Sequence, residues 1–198
     1  RFFGQQVFPT AVAIAVHGHA GPQVLQGFDG LIGVHAPQAA QAFTEEFEIA
    51  AGAAAEFGHM GMPWLTEAEL PPIACFCGKP GCVEMYVSGT GLKQDWQRVH
   101  GEVLDGPEIV KRARAGDKPA RDAIARLQNR FARVVGNIVN CLDPDIFVMG
   151  GGLSELPELV EELPVVAARH SFSGKAEPRI ARAQRADAGV RGAALLWD

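Results

Sequence analysis

The clearest hydrophobic pattern in this chain lies between residues 119 and 142. Apolar residues there recur three and four positions apart, as on one face of a helix. That face consists of Ala123, Ile124, Leu127, Phe131, Val134, Val135, Ile138 and Val139. The sequence Asp-Pro-Asp at residues 143–145 then ends the pattern. We therefore predict an amphipathic helix over residues 119–142, the best-defined helix of the chain.

Three shorter segments have the composition of strands. Residues 146–149 form an all-apolar run, which is typical of a strand that is buried on both faces. Residues 12–16 form a second such run. Residues 179–183 are the third predicted strand.

Further helices and one long loop complete the pattern. Residues 107–115 predict a short helix with Pro at its first turn, and residues 189–197 predict a helix near the end of the chain. Another helix is expected to begin at about residue 156. Residues 56–91 are rich in Gly, Pro and Cys, so we expect mostly loop there, with a helix beginning near its end.

The composition is that of an ordinary globular protein. The residues are 47% hydrophobic and 21% charged. A chain of 198 residues is long enough for one sizeable core or two small domains. A net charge of -5 argues against a broad nucleic-acid-binding surface. No apolar run approaches the roughly 20 residues of a membrane span, and the first residues lack the pattern of a signal peptide. We therefore expect neither nucleic acid nor membrane as a partner.

Three of the four cysteines lie within eight residues of one another. Cys75, Cys77 and Cys82 form a C-x-C-x4-C pattern, and His59 lies sixteen residues before the first of them. Cys75 and Cys77 are too close together to form a disulfide easily, whereas three thiolates and one imidazole are a complete tetrahedral set for Zn²⁺. We therefore predict a structural zinc site. The alternative is a loop of reduced cysteines in which His59 is an ordinary polar residue.

The fourth cysteine, Cys141, lies in an apolar stretch, and we expect it to be a buried free thiol. Free thiols together with a thiolate zinc site indicate a reducing compartment. The sequence therefore predicts a cytoplasmic protein.

A glycine-rich turn is a candidate for contact with a nucleotide. Gly150, Gly151 and Gly152 follow the predicted strand at residues 146–149 and precede a predicted helix. Glycines at such a junction allow close approach of a ligand, and the start of a helix favours an anion. The sequence matches neither the dinucleotide fingerprint nor the Walker loop, so a tight connection is the alternative.

A second turn consists of Ser88, Gly89, Thr90 and Gly91. Its side chains are small and two of them carry hydroxyls. We expect it either to line a phosphate channel or to break a helix.

An ordered series of motifs resembles the signature of the ROK family, which contains bacterial sugar kinases and sugar-responsive repressors. The series runs from about residue 55 to residue 198. Its segments are EFGH at 56–59, CFCGKPGCVE at 75–84, SGTG at 88–91, LDPD at 142–145, GGGLS at 150–154 and GVRGAA at 189–194. Within the family, MPW at residues 62–64, followed by Glu67 and Glu69, is most similar to the bacterial fructokinases. The N-acetylglucosamine kinases are the close second.

The resemblance implies an α/β fold of the actin-like ATPase (ribonuclease H-like) type, with two lobes around a cleft. Residues 56–198 would be the C-terminal lobe, and residues 1–55 a remnant or poorly identified part of the N-terminal lobe. The two glycine turns would bind ATP, which acts with Mg²⁺ in such kinases. We also expect a homodimer.

The resemblance further implies that Glu56, His59 and Glu84 bind sugar hydroxyls, with His59 serving as a zinc ligand as well. Two carboxylates beside an imidazole held by a metal supply the acceptors that a sugar needs, and zinc would fix the loop that carries Glu84. The alternatives are a helix-start carboxylate at Glu84 and a plain surface acid at Glu56.

One part of the family pattern is not recognisable. ROK kinases carry an N-terminal glycine-rich phosphate motif with an Asp, and an Asn-Asp pair whose Asp is the catalytic base. The first Asn here is Asn129, and the only Asp before Asp95 is Asp29, in a different context. We therefore expect an incomplete or rearranged member of the family, or one whose first residues were misidentified. Asp29 is predicted not to be the base, and no catalytic base is assigned.

The leading hypothesis from the sequence is an ATP-dependent kinase that converts fructose to fructose 6-phosphate. An N-acetylglucosamine or glucose kinase of the same family is the first alternative. A second is the non-catalytic sugar-sensing domain of a repressor, which should carry a basic helix-turn-helix. Residues 1–55 show no such element, since Arg1 is their only Lys or Arg. A third alternative is a sugar- and zinc-binding fragment without activity.

Overall fold

The computed structural model describes residues 57–183 and the strand Val12–Ala15. The described part is an α/β structure, as predicted. Its strands are β1 (Val12–Ala15), β2 (Ile146–Met149) and β3 (Ile180–Arg182). Its α-helices are α1 (Gly89–His100), α2 (Gly106–Arg114), α3 (Lys118–Leu142), α4 (Pro157–Val160) and α5 (Leu163–Ala168). Glu56, Asp29 and the helix predicted at residues 189–197 lie outside the described residues.

β2 is the central strand of the three-stranded sheet in this part of the chain. It pairs antiparallel with β1 and parallel with β3. Phe147, Val148 and Met149 are buried, because a central strand has neighbours on both edges and packing on its faces. The predictions of strands at residues 12–16, 146–149 and 179–183 are therefore confirmed.

α3 is the long helix predicted from the apolar repeat. Asp117 caps its start, accepting a hydrogen bond from the backbone N–H of Ala120 (2.8 Å). Asp143, with a left-handed φ of 42°, ends it. The predicted apolar face is buried, except for the half-buried Val139. This face packs against α2 and α5, so α3 organises the core of the described region.

The expectation that Cys141 is buried is wrong. Its thiol is exposed, and so are its neighbours Asn140 and Leu142. These residues form the last turn of α3, where an apolar neighbourhood in the sequence no longer implies a packed neighbourhood in space. Among the described helices, none is both long and apolar enough to cross a membrane.

The long loop predicted at residues 56–91 is confirmed over its described part. Residues 57–88 contain only single turns of 3-10 helix, at Phe57–His59, Glu67–Glu69 and Val83–Met85, and two isolated bridges. Because the loop contains so little regular secondary structure, side-chain contacts are needed to hold it in place.

Four charged side chains are buried together where this loop meets α3: Glu69, Asp95, Arg130 and Arg133. Arg130 donates from Nε to Glu69 Oε1 (2.7 Å) and from Nη2 to Asp95 Oδ1 (2.7 Å). Arg133 donates to the two oxygens of Glu69, at 2.5 Å and 3.0 Å. Two negative charges thus face two positive ones, and we call these four residues the buried ion-pair network.

The network also holds the backbone of the loop. Arg133 Nη1 donates to the carbonyl oxygens of Pro63 (3.2 Å) and Trp64 (2.6 Å). The backbone N–H and the hydroxyl of Thr66 donate to Glu69 Oε2, at 2.9 Å and 3.1 Å. These bonds attach residues 63–69 to α3, a continuous helix of 25 residues.

Electrostatics favour the ionised form of both buried acids. Burial by itself would raise the pKa of the Glu69 carboxyl, but hydrogen bonds from Arg133 and Arg130 outweigh it and lower that pKa to about 2. Burial likewise opposes ionisation of Asp95, and Arg126 and Arg130 overcome it, so that its pKa is lowered as well. Both acids therefore remain charged partners at neutral pH.

We predict that Glu69→Gln destabilises the fold by about 3–5 kcal/mol, because it leaves the buried Arg133 guanidinium without a carboxylate and Arg130 with Asp95 alone. Glu67→Gln is the matched control: Glu67 lies in the same helical turn but is exposed, so its change should be within about 0.5 kcal/mol. Urea denaturation of both variants and the parent protein measures the difference. Equal midpoints for the two variants would show that the network contributes nothing to stability.

The same variant should change the pH dependence of unfolding. The pKa of Glu69 is lowered in the folded state, so its ion pairs stabilise fully above the ordinary pKa of 4.5, and this stabilisation is lost as the pH falls towards about 2. The free energy of unfolding of the parent should therefore fall more steeply over this range than that of Glu69→Gln.

Candidate zinc and sugar site

Backbone hydrogen bonds fold the loop so that His59 and Cys82 become neighbours. The N–H of Val83 donates to the carbonyl of Met60 (2.9 Å), and the N–H of Met62 donates to the carbonyl of Gly81 (2.7 Å). The Cys82 thiol lies 3.8 Å from the backbone oxygen of His59. Two segments that are twenty residues apart in the sequence thus run side by side.

A tight turn brings Cys75 and Cys77 to the same place. Cys75 N–H donates to the carbonyl of Lys79 (2.9 Å), and Gly78 N–H donates to the carbonyl of Cys75 (3.0 Å). Gly78 has a φ of 87°, a left-handed conformation that glycine adopts without strain. The segment that contains the C-x-C motif therefore forms a tight turn, which places the sulfurs of Cys75 and Cys77 in the same cluster.

The four predicted ligands form one cluster. The ligand atoms of His59, Cys75, Cys77 and Cys82 all lie within 4.8 Å of one another. Cys75 Sγ is 3.7 Å from His59 Nδ1, and Cys77 Sγ is 3.5 Å from Cys82 Sγ. A tetrahedral zinc site has Zn–S bonds of about 2.3 Å and Zn–N bonds of about 2.0 Å, hence edges of about 3.5–3.8 Å. The donor set and its spacing fit zinc, and the four positions leave none for a catalytic water.

The thiols of the cluster differ in acidity. The backbone N–H of Lys79, followed by the Cys82 thiol, lowers the pKa of Cys77 to about 7. Burial, followed by the Cys77 thiol, raises the pKa of Cys82 to about 12. A metal must therefore displace a proton from Cys82 when it binds, which couples metal affinity to pH.

The His59 ring faces two ways. Its Nδ1 points to the cysteines, and its Nε2 lies 3.9 Å from Glu84 Oε2. This distance is too long for a direct hydrogen bond, but a hydroxyl oxygen about 2.8 Å from each atom would bridge them. Both side chains are half-buried. The two described members of the predicted sugar set thus lie together.

The turn at residues 88–91 begins α1. The Ser88 hydroxyl accepts a hydrogen bond from Gly91 N–H (2.9 Å) and donates to the carbonyl of Glu84 (2.7 Å). A Cβ at Gly91 would lie 2.8 Å from the backbone carbon of Tyr86, so only glycine fits there. Ser88 and Gly91 therefore shape the helix start, whereas a side chain at Gly89 would meet nothing within 4 Å, and Thr90 is exposed.

The turn at residues 150–152 follows β2 directly, as predicted. Gly151 has a φ of 72° and directly precedes a single 3-10 turn, Gly152–Glu155. The α-helix expected from about residue 156 begins at Pro157 and has only four residues. A Cβ at Gly152 would meet nothing within 4 Å among the described residues, so the turn is open on that side.

The buried ion-pair network was not recognised in the sequence, although a signal exists. Arg130 and Arg133 lie within the apolar repeat of α3, beside Leu127, Phe131 and Val134. A charge on the buried face of a helix needs a buried partner. No local pattern indicates that Glu69, more than sixty residues earlier, is that partner.

The sequence pattern of the ROK family matches residues 47–198, more than half of the chain. The N-acetyl-D-glucosamine kinase of Pectobacterium carotovorum subsp. carotovorum (strain PC1) is 37% identical over 150 residues. Those residues are 73% of this chain and 49% of that enzyme. The chain spans about half the length of the curated relatives that it matches.

Solved structures agree with this comparison. The ROK hexokinase from Thermus thermophilus superposes with a TM-score of 0.59 at 28% identity, over 73% of this chain and 47% of its own. A ROK family glucokinase from Streptomyces griseus, in complex with glucose and AMPPNP, gives a TM-score of 0.59 at 26% identity, over 72% and 51%. The predicted α/β fold of the actin-like ATPase type is confirmed. On this evidence the chain belongs to the ROK family.

Proposed function

We propose that this chain forms the sugar- and nucleotide-binding part of an ATP-dependent sugar kinase. The observation that carries the proposal is the His59 ring, which joins the cysteine cluster through Nδ1 and approaches Glu84 through Nε2. A sugar hydroxyl between Nε2 and the carboxylate would be held by both groups. The two groups lie on separate turns of the loop, Phe57–His59 and Val83–Met85. Glu56 would add a second carboxylate, as the resemblance implies.

Zinc held by His59, Cys75, Cys77 and Cys82 would lock the loop and supply no chemistry of its own. Its bond to Nδ1 would fix the His59 ring and hence the direction of Nε2. Cys82 immediately precedes the Val83–Met85 turn that carries Glu84. The same metal site would therefore orient both sugar contacts.

The reaction is transfer of a γ-phosphoryl group from ATP, with Mg²⁺, to a sugar hydroxyl. The hydroxyl oxygen forms the new bond to phosphorus, the bond to the β-phosphate oxygen breaks, and a carboxylate base takes the hydroxyl proton. We assign nucleotide contacts to Gly150–Gly152 and to the open part of the turn at residues 88–91. The homodimer, the cytoplasmic location and the role of residues 1–55 stay predictions, and no residue is assigned as the base.

N-acetylglucosamine is the acceptor that the relatives favour, since several curated relatives are N-acetyl-D-glucosamine kinases. The prediction of fructose as the acceptor rested on the MPW segment at residues 62–64, followed by Glu67 and Glu69. Glu69 is buried against Arg130 and Arg133, so its carboxylate is engaged by the fold and is not available to contact a sugar.

The first test concerns the metal. Protein purified without chelator should contain about one zinc per chain, and Cys82→Ser should lose it and destabilise the loop. Cys141→Ser is the control, because Cys141 is exposed and outside the cluster, and it should retain the metal. Elemental analysis of the three proteins measures this. A zinc-free parent protein would rule out the site.

The second test concerns the sugar. Glu84→Gln should weaken N-acetylglucosamine binding roughly ten- to hundredfold, because a hydrogen bond to a charged group contributes about 1.5–3 kcal/mol. Its zinc content should not change. Glu67→Gln, at an exposed carboxylate of the same loop, should bind like the parent. Calorimetry with N-acetylglucosamine, glucose and fructose ranks the acceptors, and unchanged affinity in Glu84→Gln contradicts the assignment.

The third test concerns the nucleotide. Gly151 is unsuitable for substitution, since its positive φ would strain any side chain. Gly152→Val places its Cβ where no described atom lies within 4 Å, so it should leave the fold intact while obstructing ATP. We expect at least a tenfold loss of ATP affinity with an unchanged melting temperature. Retained ATP affinity in a folded Gly152→Val variant would place the nucleotide elsewhere.

A further inference from the structure

The three cysteines of the cluster are not equally accessible. Cys75 and Cys82 are 7% and 2% exposed, whereas Cys77 is exposed. The turn that carries Cys77 lies at the outside of the loop, next to the exposed Phe76 and Gly78. A small reagent from solvent therefore reaches the cluster at one sulfur, that of Cys77.

The buried sulfur facing Cys77 is that of Cys82. Their Sγ atoms are 3.5 Å apart, so a shift of about 1.5 Å would reach the S–S bond length of about 2.05 Å. Gly78 and Gly81 lie between them in the chain and both have left-handed φ values. Cys75, by contrast, has its sulfur against His59 Nδ1. All three sulfurs lie within 4.8 Å of one another, and the direct contact between Cys77 and Cys82 favours that pair.

We propose that Cys77 is a site of oxidation by hydroperoxides, and that oxidised Cys77 forms a disulfide with Cys82 and releases the zinc. This inference rests on the zinc site of the proposed function and adds a means of regulating it. The ligand class is a small peroxide such as hydrogen peroxide, which needs no binding pocket beyond the exposed sulfur.

The chemistry proceeds in two steps. The Cys77 thiolate attacks one peroxide oxygen, so that an S–O bond forms, the O–O bond breaks, and the hydroxide that leaves takes up a proton as water. The Cys82 sulfur then attacks the sulfenic sulfur, the S–S bond forms, and the S–O bond breaks with loss of a second water. Two electrons pass from the two sulfurs to the peroxide.

The consequence reaches the proposed sugar site. Zinc would lose two of its four ligands, and His59 with Cys75 alone would not retain it against a chelator. The His59 ring would then lose the constraint on Nδ1 that directs Nε2 towards Glu84. Oxidation should therefore weaken sugar binding, and reduction in the presence of zinc should restore it.

The test treats the zinc-loaded full chain with a molar excess of hydrogen peroxide. A chromogenic zinc chelator follows metal release, and mass spectrometry of non-reduced peptides identifies the disulfide. Cys141→Ser serves as the working background, because it removes the exposed thiol outside the cluster. We expect about one equivalent of zinc to be released, with a Cys77–Cys82 disulfide, and dithiothreitol with added zinc to reverse both changes.

Retention of zinc under excess peroxide would overturn the inference, and so would a disulfide that contains Cys75 in place of this pair. A parent protein that contains no zinc after purification without chelator would overturn it as well. Calorimetry of the reduced protein with N-acetylglucosamine separates this outcome from the proposed function. If the reduced protein binds no sugar but forms the disulfide and releases zinc, the kinase assignment fails and the oxidation site stands. If the reduced protein binds sugar but retains its zinc under peroxide, the oxidation site fails and the sugar-binding assignment stands.

Discussion

The attachment of the irregular loop to the helical core depends on the pairing of two buried arginines of α3 with two buried acids. Arg130 and Arg133 occupy the apolar face of the helix, where an unpaired charge would cost several kcal/mol. Glu69 and Asp95 neutralise them. Because Glu69 comes from the irregular loop and Asp95 from α1, the pairing joins three separate pieces of chain. A hydrophobic contact could provide similar stability, but it would not fix the loop in one orientation.

The network and the cysteine cluster hold the same loop at different points. The network binds residues 63–69, and the cluster gathers His59 with the cysteines at residues 75–82. Tyr86 connects the two: the Arg130 guanidinium lies over its ring, at 5.8 Å, and its hydroxyl accepts a hydrogen bond from Ile73 N–H (3.0 Å). A segment with almost no regular secondary structure thus becomes rigid through side-chain contacts that surround it.

The features that could be predicted from the sequence are those that depend on the pattern of residues within a short stretch. The apolar repeat gave α3, the run at residues 146–149 gave β2, and the cysteine spacing gave the cluster, because period and spacing are properties of a short stretch. Long-range pairings were not accessible: nothing near Glu69 indicates Arg133. The burial of Cys141 was predicted wrongly for a related reason, since apolar neighbours along a helix do not reveal where the packing around that helix ends.

The site therefore has a different physical basis from the core that supports it. The core of α3, α5 and β2 is held by apolar packing, which responds to temperature and denaturant. The loop with His59 and Glu84 is held by ion pairs and by the cysteine–histidine cluster, and with the proposed zinc bound these contacts would respond to pH, chelators and oxidants. Conditions that act on the second set should disorder the loop before they affect the first. The proposed sugar contact on this loop would consequently be open to chemical control without unfolding of the domain, because its geometry would depend on a few polar bonds.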